Sequence, residues 1–286
     1  MGAAALLLNT SGTENTAVGT DALVSNDTGS NNSAFGTFAL FSNTTGGENT
    51  TNGYEALFNN TAGNENTAIG DSALFSNTGG GDNTAIGYHA LFDNTGDLNT
   101  ATGWSALSSN TTGAANTANG LSALLNNTTG SFNTAIGERA LQANIDGSSN
   151  TAVGDSALLN NIRNFNTAIG ESALHNNTDG GSNTAIGAGA LSNNTSGSQN
   201  TAIGADAGFN ATDATGGGGN VYIGTVGGEA EETNHTYIAN INATSVSGGG
   251  SDVVTVDLTT GLLGHLNSSR RYKEDIKPMD KASKEL

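Results

Sequence analysis

The sequence predicts an all-β fold: a parallel β-roll or β-solenoid of about 12 repeats of 17 residues. Three observations carry that expectation. The segment Asn15-Thr16-Ala17-Val18-Gly19 returns, with variation, at Asn32, Asn49, Asn66, Asn83, Asn99, Asn116, Asn133, Asn150, Asn166, Asn183 and Asn200, in steps of 17 residues except for two of 16. The fifth position is Gly in all twelve copies, from Gly19 to Gly204, and the twelfth is Asn in eleven, from Asn26 to Asn194. Ala, Ile and Leu keep their phase although only 35% of the chain is hydrophobic and 5% aromatic, whereas a disordered polar segment has no reason to hold apolar residues in register. A repeat this short cannot bury a core alone, so each copy must stack on the next.

The elements follow in chain order. The stretch Ala5 to Gly12 has the pattern of the back half of a repeat. Each full repeat reads Asn-Thr-Ala-Ile-Gly at positions 1–5, Ala-Leu at 8–9, Asn-Thr at 12–13 and Gly at 15. Glycine adopts positive φ at little cost, and Asn more readily than most residues. Positions 5 and 15 therefore read as two corners. Position 15 is Gly in ten of eleven copies, counting Gly96 after a one-residue deletion, and Asn164 is expected to take the role in the copy starting at Asn150. Positions 2–4 alternate as a strand does, with the β-branched residues on one side. Positions 8–13 are too short for a stable helix and are expected to form a second strand. The two 16-residue copies, starting at Asn83 and Asn150, lose their residue near the second corner.

The interior of such a coil has room for Ile and Leu and little else. Asn52, Thr102 and Asn119 at position 4 then need partners: each other, water, or symmetry mates at an axis. The Asn at positions 1 and 12 are expected to bond from coil to coil. Twelve coils at strand spacing make a rod of roughly 60 Å. So thin a rod leaves apolar surface exposed, which predicts a parallel homotrimer with the Ala positions near the common axis; a monomeric solenoid is the alternative.

After Gly204 the pattern weakens. Gly216 to Gly219 interrupts it, and Asn220 to Gly224 is a last echo. The domain reading is a solenoid over 1–224, a transition of short strands over 225–266, and a distinct segment over 267–286. In the last, Asp280 to Leu286 is expected to open a short helix after Pro278.

Composition narrows the function. No Cys is present, so disulfides and thiolate metal sites are excluded. The net charge is -18, and six of the eight Lys/Arg lie between Arg270 and Lys284. The acidic repeats should repel nucleic acid and anionic membrane, and acidic residues interrupt the basic tail. No apolar run approaches the length of a membrane span. His89, His175, His235 and His265 occupy unrelated repeat positions and do not predict a shared metal site. Glu14, Glu48, Glu65 and Asp82 share position 17, but Asn31, Leu98, Ala115, Phe132 and Gln199 interrupt that column. A solvated edge and a cation-binding column are both open. No cofactor or metal is expected.

Asn-Thr-Ala-Ile-Gly followed by Ala-Leu resembles the head repeats of trimeric autotransporter adhesins, which implies left-handed parallel β-rolls. The Asn43 to Gly46 variant resembles repeat arrays of bacterial and phage tail-fibre-type proteins. The segment Leu263 to Pro278 resembles the start of the endosialidase-type intramolecular chaperone family, through Ser268, Arg270 and Lys273; Ser269 stands where that family often has Asp. The resemblance implies assisted trimerisation and self-cleavage between Asn267 and Ser268, with Ser268 as nucleophile and Lys273 as general base. Residues 268–286 would be only the opening of that longer domain. A solvated charged tail is the other reading.

The expectation is a trimeric fibre shaft or head outside the cell, on a phage virion or bacterial surface, with a host-surface receptor or glycan as partner and no nucleic acid or membrane insertion. Self-processing is the enzymatic alternative. Ice binding is a third, since the Thr after each leading Asn forms a regular series.

Overall fold

The computed structural model describes residues 2–211, 217–224, 227, 233–239, 254–256 and 263–265. They fall into two units, 1–239 and 240–286. The first is a parallel β-solenoid. Its strands are β1 (Thr16–Val18), β2 (Ser33–Phe35), β3 (Thr50–Asn52), β4 (Thr67–Ile69), β5 (Thr84–Ile86), β6 (Thr100–Thr102), β7 (Thr117–Asn119), β8 (Thr134–Ile136), β9 (Thr151–Val153), β10 (Thr167–Ile169), β11 (Thr184–Ile186), β12 (Thr201–Ile203), β13 (Val221–Ile223) and β14 (Thr236–Ile238). They form one 14-stranded sheet in sequence order, every neighbour parallel. Register is strict: Thr67 faces Thr84, Ala68 faces Ala85, and Ile69 faces Ile86. Both 16-residue steps keep it, pairing Thr84 with Thr100 and Thr151 with Thr167, so the deletions are absorbed in the loops. In the second unit β15 (Val254–Val256) and β16 (Leu263–His265) pair antiparallel. The expected helix at 280–286 lies outside the described residues.

The core inverts one sequence expectation. Positions 3, 8 and 9 fill the lumen: Ala68, Ala73 and Leu74 are fully buried, and the Leu column runs unbroken from Leu23 to Leu191. The apolar β-branched residues of position 4 point outward: Val18 and the Ile residues from Ile69 to Ile238 are between 38% and 44% exposed, and Val153 is half-buried. A period-2 strand must send one face in and one out. The smaller residue goes inward because the lumen already holds a Leu and two Asn. Asn52 and Asn119 are therefore exposed and need no buried partner. The Ala columns lie inside each coil, so they cannot line the axis of a trimer.

The corners also differ from expectation. Position 5 glycines have φ between +119° and +156°, a region L side chains rarely adopt. Position 15 glycines have no positive φ. Glycine is needed there for space: a Cβ on Gly46 would strike the carbonyl oxygen of Gly63 and lie 2.5 Å from Asn43 Oδ1 and 2.7 Å from Asn60 Nδ2. The left-handed residues are at positions 7, 9 and 17, as at Ser122 (φ 54°), Leu124 (φ 51°) and Ala115 (φ 56°). These bends prevent a second strand. Positions 6–11 form turns, and their backbone still bonds coil to coil, as in Leu124 N–H to the Ala140 carbonyl at 2.9 Å.

The expected Asn ladders are present. At position 12, Asn43 Nδ2 donates to Asn26 Oδ1 at 2.7 Å and to the Gly46 carbonyl at 2.9 Å. At position 1, Asn32 Nδ2 donates to the same Gly46 carbonyl at 2.9 Å, and the Asn32 backbone N–H donates to Asn15 Oδ1 at 2.9 Å. Two side chains thus close each coil on one carbonyl. In the copy starting at Asn150 that carbonyl belongs to Arg163, not Asn164: Asn150 and Asn161 donate to it at 2.8 and 2.7 Å. The position-12 ladder loosens at both shortened copies, where Asn77 Oδ1 has no partner and the Asn161–Asn144 bond stretches to 3.5 Å.

The start and end of the array follow the same physics. Ala4 and Leu6 have the left-handed φ of positions 7 and 9, and Asn9 accepts from Asn26 Nδ2 at 2.6 Å. The segment is half a coil, as its sequence predicts. At the far end Gly208 replaces the core Leu, and Tyr222, fully buried, fills the space: a Cβ on Gly208 would lie 2.8 Å from its ring.

Candidate functional site

With the lumen filled by side chains, function falls to the outer faces. The first is the flat face of the sheet. Positions 2 and 4 both project from it because position 3 projects inward. It carries a Thr column, from Thr16 to Thr236 with Ser33 and Val221 as variants, beside a column of Ile and Val. From β8 to β14 the second column is uninterrupted: Ile136, Val153, Ile169, Ile186, Ile203, Ile223 and Ile238. Neither column contains a charged residue. Repetition at strand spacing, about 4.8 Å, makes it a regular apolar strip edged with hydroxyls.

The second face lies on the turns. At position 10, Phe41, Phe58, Phe75 and Phe92 stack ring on ring, with centroids 4.9, 5.2 and 5.0 Å apart and planes within 10°. Phe38 packs edge-on against Phe41, Tyr54 and Phe58. His89 lies flat on Tyr88 at 3.9 Å, and Tyr88 stacks on Trp104 at 6.0 Å. Eight of the chain's fifteen Phe, Tyr and Trp fall between residues 38 and 104, so this is a localised strip. The outer rings are open to solvent: Tyr54 is 48% exposed, Tyr88 43% and Trp104 53%. A hydrogen bond to Glu55 holds the Tyr54 hydroxyl above the usual tyrosine pKa, and slight desolvation and the charges of Glu55 and Asp71 push the same way. The sequence reading missed this strip, although the signal was there: Phe recurs at one repeat position in four successive copies.

The sequence-derived site residues stand elsewhere. Ser268, Arg270 and Lys273 lie outside the described residues. Among the described residues no three His, Asp or Glu cluster as a metal site. Glu14, Glu48, Glu65 and Asp82 are exposed at one left-handed position. Position 13 forms a further hydroxyl series that serves the fold: Thr44 and Thr61 donate to the carbonyls of Thr61 and Thr78 at 2.9 and 2.8 Å. No helix among the described residues is long and apolar enough to cross a membrane. No family model, curated protein or solved structure matches this chain.

Proposed function

We propose that this protein is a structural fibre or adhesin segment, a shaft or head that works as a parallel homotrimer outside the cell, on a phage virion or bacterial surface, and presents itself to a receptor or glycan. One observation supports this most directly: the uncharged Thr/Ile face of the sheet. A monomer leaves an apolar strip in water, uninterrupted over the seven strands β8 to β14 and so roughly 30 Å long, and such a regular face is self-complementary under parallel association. Burying it contributes about 25 cal/mol per Å² of apolar area. The Ile column, in place of the Ala column, forms the contact. The tail-fibre resemblance of the repeats and the chaperone resemblance around Ser268 point the same way.

Analytical ultracentrifugation of the chain tests the reading. The expected mass is three times 28.4 kDa, falling to one chain for the triple substitution Ile169→Glu, Ile186→Glu and Ile203→Glu. A wild-type chain that sediments as a monomer at micromolar concentration rejects it. The hydroxyl column on the same flat face favours ice binding as a second reading. Thermal hysteresis from a monomeric wild-type chain, lost in the triple variant, selects that reading. Self-cleavage through Ser268 and Lys273 is tested separately: the expressed chain would yield a product ending at Asn267, and Ser268→Ala would abolish it.

A further inference from the structure

The aromatic strip is distinct from the sheet face and plays no part in the proposed association. It is also more than core packing. Tyr54, Asp71, Tyr88 and Trp104 occupy position 6 of four successive coils, so they form one outward column. The rungs that carry Tyr54 and Tyr88 are two strand spacings apart, about 10 Å, with the exposed carboxylate of Asp71 between them. The rings are braced from their own side, Tyr54 by Phe38 at 6.2 Å and Tyr88 by His89 at 3.9 Å. Little side-chain entropy is then lost when a ligand lands on them.

The electrostatics select the ligand. Residues 1–138 contain no Lys or Arg. The first cation, Arg139, lies 3.5 Å from Glu138 and 3.9 Å from Asp155. Asp71 accepts from Ser72 Oγ at 2.8 Å and has no cationic partner among the described residues. Tyr and Trp rings attract cations through their negative faces, and a carboxylate in the same column adds charge. An anionic partner would meet repulsion along the whole half of the rod. We propose that the Tyr54–Asp71–Tyr88–Trp104 column is a docking strip for the Arg and Lys side chains of a basic polypeptide. Guanidinium is the better fit, because it stacks on a ring and pairs with a carboxylate through one planar group.

Trp104 is the only tryptophan in the chain, so its fluorescence reports from the strip. The full-length protein is titrated with octa-arginine at low salt, and the expected result is a saturable change in Trp104 emission. Tyr54→Ser with Tyr88→Ser, which leaves every charge in place, is expected to weaken binding at least fivefold. Asp71→Asn is expected to weaken it at least threefold. Tyr54→Phe with Tyr88→Phe keeps the rings and should bind within twofold of wild type, which separates recognition from misfolding. Glu138→Gln with Glu171→Gln, in the same column beyond the rings, should also change binding less than twofold. Equal losses for the ring and the distant charge variants would overturn the proposal, because attraction to a polyanion would then suffice. A response to a neutral glucan oligosaccharide with none to octa-arginine would also overturn it, in favour of glycan recognition. The readout is the same for one chain or three, so failure here is distinguishable from failure of the trimer reading.

Discussion

At the scale of single residues, the most instructive position is 17. Ala115 there has φ +56°, a conformation that costs an L-residue about 1–2 kcal/mol. Its methyl group is half-buried and makes no bond that compensates. Leu124 at position 9 has a similar φ, but its side chain is fully buried, which contributes about 1.5–3 kcal/mol. The strain is offset at one site and left standing at the other. Ala115→Gly is therefore expected to stabilise the chain, by up to about 1 kcal/mol once the added entropy of an unfolded glycine, about 0.5–1 kcal/mol, is subtracted. The urea midpoint should rise; a fall would show that the half-buried methyl outweighs the backbone. Leu124→Ala should cost about 2–5 kcal/mol, because the filled lumen cannot collapse onto the gap.

At the scale of one coil, the decisive element is the pair of Asn amides that meet on a single carbonyl. Asn127 donates to Asn110 Oδ1 at 2.6 Å and to Gly130 at 2.9 Å, and accepts from Asn144 Nδ2 at 2.8 Å. Asn127→Leu removes a polar group whose neighbours are buried, at about 1–3 kcal/mol for each group left without a partner. Chemical denaturation should show a loss of several kcal/mol, and a loss under about 1 kcal/mol would mean that water repairs the gap. How far this coil was legible in sequence follows from the same physics. The period, the strand, both Asn ladders and the glycine corner at Gly19 were readable because each demands one residue type. The inward Ala and outward Ile were not, because a β-branched residue is at home on either face of a sheet and only the volume of the closed lumen decides. The left-handed Ser122 and Leu124 were hidden for a related reason: neither residue type advertises positive φ. Gly46 was read as a left-handed corner, which its φ does not bear out; what excludes a side chain there is the next coil.

At the scale of the whole molecule, the question moves from folding to surfaces. The lumen explains why the rod stands and says little about what it does. Among the described residues, the sheet face and the aromatic strip are two places where repetition leaves apolar surface in water. The first was foreseen as a need for lateral contact but assigned to Ala. The second was not foreseen, because four Phe at one position look like ordinary variation until their stacking is seen. The Ser268–Lys273 chemistry was legible only as a resemblance.

Identical bonding between successive coils has one more consequence. Because Thr100 sits opposite Thr117 as Thr117 sits opposite Thr134, excising residues 116–132 would bring Asn99 and Asn133 together across a seam of the same chemistry. Such a variant should fold and be shorter by one strand spacing, about 4.8 Å, with near-unchanged circular dichroism per residue; aggregation would show that neighbours are not interchangeable. A chain built this way can be lengthened or shortened in whole coils while every joint keeps the same bonds. Its reach is then set by the number of coils alone.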